Sequence, residues 1–222
     1  MKKYLVIGNP IEHSLSPKLH NYWIKKNNIN AIYDKKKIKE EDLKDIITDI
    51  KNEKIAGVNV TVPFKKSVVS FVNELSFEAN KTQSVNTLYK ENNKIIGHNT
   101  DLRGFELALR KINYNFKEKV AFILGAGGVC PSIILSLKKL GVSKILLSNR
   151  TKKKAEEIKF FFNDVEIFDW GIVPNFDIII NTTSLGLNEN DEINLDYEKI
   201  GPNKLFYDVI YYPKQTKFLK KA

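Results

Sequence analysis

Between Ala56 and Ser67 the chain reads AGVNVTVPFKKS, and Asn59, Thr61 and Lys65 within it supply an amide, a hydroxyl and an ammonium. In an extended chain successive side chains point to opposite faces. Asn59, Thr61 and Lys65 then share one face, and Val58, Val60, Val62 and Phe64 the other. The apolar face needs a core. Pro63 has no amide proton for a neighbouring strand, so pairing should end there. Two readings stay open on these residues alone. Either the strand delivers three hydrogen-bonding groups to one place near its C-terminal end, or it is an ordinary half-exposed strand with a solvated lysine.

A second stretch, AFILGAGGVCPSII, places Gly125, Ala126, Gly127 and Gly128 directly after an apolar strand and before a helix. That setting makes a glycine motif a candidate for holding a pyrophosphate. The first glycine permits a tight turn and the second lets the backbone approach the ligand. The helix N-terminus adds free N–H groups and the positive end of its dipole. Cys130 stands at the third fingerprint position in place of glycine and reads as a packing residue. Pro131 suits the first helical turn. The next strand, ILLSNRT, ends in Asn149, Arg150 and Thr151, followed by Lys152–Lys154. A cofactor with a free ribose 2′-hydroxyl usually meets Asp or Glu about 20 residues after the glycines. Here a guanidinium stands instead, able to stack on adenine and fork onto phosphate. The pattern predicts NADP over NAD, with a plain surface arginine as the alternative.

The elements that must position these groups alternate along the chain. YLVIG reads as a strand. SPKLHNYWIKKNN reads as a helix with Ser16 as its N-cap and Pro17 at its first position. AIYDKKKI is a strand and KEEDLKDIITDIKN an amphipathic helix with acids in its first turn. SVVSFVNEL reads as a helix, and SVNTLYKENNKIIGHNTD as a hairpin turning at Glu91–Asn93. DLRGFELALRKIN is a helix that crosses between domains. From Lys119 a cleaner series follows: strand, glycine loop and helix; SKILLSNRT and KKKAEEIKFFF; then VEIFDW, FDIIINTTS and KLFYDVIY as three short strands. Phe160–Phe162 read as helix and core contact. Alternating strands and helices imply parallel sheets covered by helices.

The 222 residues suffice for one large domain or two modest ones at ~100–200 residues each. Apolar and charged fractions of 42% and 28% are those of a soluble globular protein. There is no apolar run of ~18 residues to span a membrane. MKKYLVIGNPIEHS is too short in apolar residues for a signal core of ~7–15, and a cytoplasmic location is expected. A single cysteine, Cys130, excludes an internal disulfide and a cysteine-rich metal site. The formal charge of +10 is an excess of lysine. Scattered as Lys35–Lys37, Lys152–Lys154 and Lys220–Lys221, the lysines lack the interleaved aromatics of a nucleic-acid platform. They read as solvated faces whose field favours anionic small substrates. His13 and His98 have no metal-ligand spacing and read as structural.

Several motifs then line up in order along essentially the whole chain: GNPIEHSLSPKLHN, NVTVPFK, SVNTL, GHNTD, GAGG, NRT, NTTSLGL and DVIYYPKQT. Together they resemble the shikimate dehydrogenase family. The resemblance implies reversible reduction of 3-dehydroshikimate to shikimate with NADPH, in aromatic amino-acid biosynthesis. It implies an α/β fold of two domains with a cleft between them: a substrate-binding domain over 1–101 and a Rossmann NADP-binding domain over 102–222. Carried over, Lys65 and Asp101 form the catalytic pair. Ser14 and Ser16 hold the substrate carboxylate. Asn59, Thr61 and Asn86 bind ring hydroxyls or position the lysine, and Tyr211 approaches the substrate from the cofactor domain. Gly125, Ala126, Gly127, Gly128 and Val129 cradle the pyrophosphate. Asn149, Arg150 and Thr151, with Lys154 nearby, take the 2′-phosphate, and Val209 also lines the cofactor site. No metal is implied, and the state is monomer or homodimer. After YYPKQTKFLKKA the family continues through a G…ML…Q-type segment and closing helices, which this sequence does not contain. A quinate-oxidising or NAD-preferring relative, and a chain that binds NADP without turnover, stand as the alternatives.

Overall fold

The computed structural model describes residues 1–188 and 190–222. The chain divides into two compact units, Met1–Leu102 and Arg103–Ala222. The first holds β1 (Lys2–Gly8), α1 (Ser16–Lys26), β2 (Ala31–Lys37), α2 (Leu43–Lys51), β3 (Gly57–Val60), β4 (Glu74–Leu75), α3 (Phe77–Thr82), β5 (Thr87–Glu91) and β6 (Lys94–His98). Helix α4 (Asp101–Arg110) carries the chain into the second unit.

The sheet of the first unit runs β2-β1-β3-β5-β6-β4. Its faces follow from alternation along β1. Leu5 and Ile7 share a core with Val58 and Val60 of β3 and with Leu43, Ile46 and Ile50 on one stripe of α2. Val6 and Tyr33 pack on the other face with Ile11 and Ile24 of α1. Tyr4 lies opposite Tyr33 and Val6 opposite Asn59. Tyr33 and Asn59 therefore flank β1 on the same face, a placement that matters for the site.

The second unit holds β7 (Val120–Leu124), α5 (Cys130–Lys139), β8 (Lys144–Ser148), α6 (Lys152–Phe161), β9 (Val165–Phe168), β10 (Ile178–Asn181), β11 (Leu205–Asp208) and α7 (Lys217–Lys220). Its sheet is wholly parallel, in the order β11-β10-β7-β8-β9. The strands are buried on both faces, which explains their unbroken apolar runs. Ala121, Ile123, Ile145, Leu147 and Ile178 meet α5, α6 and the Phe105–Leu109 stripe of α4. Phe122, Leu124, Leu146 and Ile179 meet Ile193, Leu195 and Phe218. The strand order reverses between β7 and β10, and the carboxyl ends there are the usual ligand crevice of such a sheet.

Several sequence expectations need correction. The strand β3 itself ends at Val60, while backbone bonds from the Thr61 N–H to the Ile7 carbonyl and from the Asn9 N–H to the Val62 carbonyl carry the pairing up to Pro63 as expected; Val62, however, is 58% exposed where the alternation put it inside. SVVSFVNEL is not a helix. It forms a 3-10 turn over Ser67–Phe71 and then β4, which pairs with β6. Its β-branched valines favour extended backbone, and Asn73 completes the pairing by accepting the Ile95 N–H on its side chain at 2.8 Å. The first sheet is mixed, not parallel, because the β5–β6 hairpin is inserted in it. That hairpin turns on Asn92 and Asn93, both with positive φ, the backbone that a tight hairpin turn demands. Leu15, not Ser16, precedes α1, and no side chain caps the helix. Of the three consecutive phenylalanines only Phe162 is core, while Phe160 is 84% exposed. Helices α3 and α7 are short and went unread.

Candidate active site

Lys65 reaches its position through a turn. The chain leaves β3, the Phe64 N–H donates to the Thr61 carbonyl at 3.0 Å, and Phe64 itself is buried. The Val85 N–H then donates to the Lys65 carbonyl at 2.8 Å, tying this turn to the segment before β5. From there Lys65 Nζ donates to Asp101 Oδ2 at 2.6 Å. The two side chains are 14% and 22% exposed, so the pair is half withdrawn from solvent. Asp101 opens α4, where a carboxylate is favoured by the free N–H groups of the first turn. Its own N–H donates to Asn99 Oδ1 at 2.9 Å.

Asn86 holds the carboxylate from the other side. Its Nδ2 donates to Asp101 Oδ1 and to Thr100 Oγ1, both at 2.8 Å. Its Oδ1 accepts from the Thr100 N–H at 3.0 Å and the Thr87 hydroxyl at 2.9 Å. A carboxamide has two donors and two lone pairs, so Asn86 is fully engaged. Its contacts hold the carboxylate that accepts from Lys65. Asn59 is the next link. Its Nδ2 donates to Thr87 Oγ1 at 3.1 Å and to the Asn86 carbonyl at 3.3 Å. Its Oδ1 accepts from the Tyr33 hydroxyl at 2.6 Å.

Ser14 lies on the loop between β1 and α1, and Ser16 is the first residue of α1. The Ser16 N–H donates to Ser14 Oγ at 3.3 Å, leaving the Ser14 proton for an incoming anion. Glu12 braces this loop. Its carboxyl pKa is lowered to about 2, by its own amide, by the Ile11 N–H and by Lys37. Thr61 stands where β1 ends, its N–H donating to the Ile7 carbonyl at 2.9 Å. Gly8 is what makes room for it. A Cβ at Gly8 would sit 2.5 Å from Thr61 Cγ2 and 3.1 Å from the Val62 carbonyl oxygen. Gly8→Ala is therefore expected to lower unfolding stability by about 1–3 kcal/mol through overpacking. Gly104→Ala, on the exposed face of α4 with nothing within 4 Å, should hold or gain stability. Denaturant titration of both variants checks the contrast.

In the second unit the glycine loop sits at the strand-order reversal. Gly125 has φ +106, and a Cβ there would meet Thr182 Oγ1 and Thr183 Cγ2 at 2.8 Å. Only glycine meets both demands. Gly127 is exposed, and a Cβ there would touch nothing closer than the Thr182 carbonyl at 4.0 Å. Gly128 and Val129 complete the loop, and α5 begins at Cys130 with no side-chain cap on Val129. An open backbone approach at Gly127 beside a helix N-terminus fits a pyrophosphate. Asn149 orders the loop: Oδ1 accepts from the Ala126 N–H at 3.0 Å and Nδ2 donates to the Thr151 carbonyl at 2.8 Å. Arg150, Thr151 and Lys154 are exposed beside the start of α6, which also lacks a side-chain cap. Lys152 is engaged by Asp169 at 2.9 Å. Val209 follows β11 and donates its N–H to the Asn181 carbonyl at 3.1 Å. Tyr211 is exposed on the same loop. Asp208 pins that loop by accepting from the Ile210 N–H at 2.9 Å and the Thr216 hydroxyl at 2.6 Å.

Sequence reasoning missed Tyr33, Thr87, Asn99 and Thr100, which hold the candidate residues in place. Thr87 and Asn99–Thr100 lie inside SVNTL and GHNTD, beside residues singled out there. Tyr33 carried no local signal. His98 bonds Ser76 Oγ through Nδ1 at 2.7 Å, a structural contact, and His13 is exposed.

A family model described as "Shikimate dehydrogenase substrate binding domain" matches residues 6–88, and one described as "Shikimate / quinate 5-dehydrogenase" matches residues 106–188. The shikimate dehydrogenase (NADP(+)) of Pelagibacter ubique is 59% identical over 221 residues, covering 100% of this chain and 83% of that protein. The crystal structure of the Aquifex aeolicus shikimate dehydrogenase superposes with a TM-score of 0.91 at 38% identity, covering all of this chain and 83% of that one. That of the Thermus thermophilus enzyme, in complex with NADP(H) and shikimate, gives 0.88 at 27% identity, over all of this chain and 84% of that one. Among the described residues no helix is long and apolar enough to cross a membrane.

Proposed function

The chain belongs to the shikimate dehydrogenase family, and from that premise we propose how its residues carry out the family's NADP-dependent reduction of 3-dehydroshikimate to shikimate. When bound, NADPH supplies the hydride. Negative charge then gathers on the former carbonyl oxygen, and a proton must follow. Lys65 donates first a hydrogen bond and then that proton, and takes it back in the oxidative direction. Asp101 keeps the ammonium aimed, and Asn86 keeps Asp101 in place. The Lys65–Asp101 contact at 2.6 Å is the observation that carries this reading.

Ser14 and Ser16 receive the substrate carboxylate, while Asn59, Thr61 and Tyr211 serve its ring. Gly125 to Val129 accept the pyrophosphate, with Val209 lining the cofactor site. Arg150, Thr151 and Lys154 meet the 2′-phosphate on a loop ordered by Asn149. A single cysteine and a biosynthetic reaction suit a cytoplasmic enzyme. The test is the absorbance of NADPH formed from NADP and shikimate, with NAD and quinate run beside them. Turnover is expected with NADP and shikimate. Faster turnover with quinate or NAD would replace the substrate or cofactor assignment, and no turnover with any pair would overturn the catalytic reading.

A further inference from the structure

We propose that Tyr33 is a positioning residue for the substrate site, holding Asn59 and linking it to the catalytic pair through one hydrogen-bonded chain of fixed sense. The inference rests on the functional reading above and extends it to a residue outside every motif.

Tyr33 is only 5% exposed, although it lies on β2, an edge strand that otherwise carries Asp34 and three lysines. It is held on three sides. One carboxamide, that of Asn21, takes both of its backbone groups: Oδ1 accepts from the Tyr33 N–H at 2.9 Å and Nδ2 donates to the Tyr33 carbonyl at 2.7 Å. The His20 ring stacks on the phenol ring at 4.2 Å between centroids and 11° between planes. The hydroxyl reaches across β1 and donates to Asn59 Oδ1 at 2.6 Å. Burial also holds the phenol protonated far above neutral pH.

The sense of the chain is set at one end by a backbone donor. The Thr100 N–H can only donate, so it fixes the oxygen of Asn86 on its side. The Thr87 hydroxyl must then donate to that oxygen and accept from Asn59 Nδ2. Asn59 Oδ1 is left facing Tyr33, which donates to it. A phenol has one proton, and it is committed to Asn59. At the other end Asn86 Nδ2 donates to Asp101, whose second oxygen takes Lys65. Tyr33, Asn59, Thr87, Asn86, Asp101 and Lys65 thus form one contiguous series. Without the phenol hydroxyl the oxygen of Asn59 loses its donor and the carboxamide is free to turn. The geometry of the bound acid then loosens first at Asn59.

Tyr33→Phe keeps the ring, the stacking and the backbone clamp and removes only the hydroxyl. Its KM for shikimate is expected to rise about tenfold, the loss appropriate to one half-buried hydrogen-bonding link, while KM for NADP stays put. In an Asn59→Ala background the same change should raise KM by less than about threefold, because the partner is already gone. Thr87→Val, one link further on, should raise KM for shikimate in the same selective way, and stands as the second variant should Tyr33→Phe not fold. Parent-chain turnover, run in parallel, tests the functional reading separately. With an active parent, unchanged KM values in the variants overturn the proposal. So do fully multiplicative effects in the Asn59→Ala background, or equal rises in KM for both substrates.

Discussion

Lys65→Ala oxidises shikimate about 10²- to 10⁴-fold more slowly than the parent chain, the range that a general acid–base group contributes, and still binds NADP. The residues proposed to hold the cofactor lie in Arg103–Ala222, whereas Lys65 and Asp101 both lie in Met1–Leu102. Removing the ammonium leaves the Asp101 carboxylate with Asn86 and no cation, at 22% exposure. A half-withdrawn pair is screened less than a surface ion pair, so some stability is lost as well, and the unfolding midpoint must be read alongside the rate. Asp101→Asn separates the two effects. It keeps a group able to accept from Lys65 but removes the charge that aims the ammonium. Its rate should fall less than that of Lys65→Ala, with binding of NADP again retained. Steady-state rates and cofactor titration of both variants decide the matter. Near-normal turnover in Lys65→Ala removes the lysine from the chemistry.

Much of this architecture was written in short-range signals. The glycine loop was legible because its demands are local: Gly125 needs positive φ, and the apolar strand and the helix start are its immediate neighbours. The paired asparagines of the hairpin were equally plain. Alternation identified the valines of β3 but failed past Val60, where a turn takes over and Val62 faces outward. The polar groups of NVTVPFK therefore gather for a different reason than strand geometry. β3 delivers Asn59, whereas the turn after it and the tie to Val85 deliver Lys65. Ser16 looked like a helix cap because serine before proline usually is one. In the structure Leu15 precedes the helix and no side chain caps it. Tyr33 stayed hidden because no rule of local spacing relates residues on different elements. Its partner Asn59 is 26 positions away, and the two meet only once β1 is placed between them.

Arg150→Ala is expected to weaken NADP binding by about 10- to 100-fold, the loss of a charge-assisted, forked contact to phosphate, and to leave NAD binding nearly unchanged. Most other groups at the end of β8 are already engaged. Asn149 is committed to Ala126 and Thr151, and Lys152 to Asp169. Arg150 and Lys154 are exposed and have no ion partner among the described residues, and the first turn of α6 has no side-chain cap. A dianionic phosphate placed there meets a planar guanidinium, an ammonium and free backbone N–H groups together. A cofactor ending in a ribose hydroxyl has no charge to offer them. The selectivity should therefore collapse in Arg150→Ala by loss of NADP and not by gain of NAD. Lys152→Ala, whose ammonium already faces Asp169, should change little. Calorimetric titration of both cofactors into both variants distinguishes the outcomes. Equal weakening of NADP and NAD would make Arg150 an adenine platform, with the phosphate held by its neighbours. No change in either would return it to solvent.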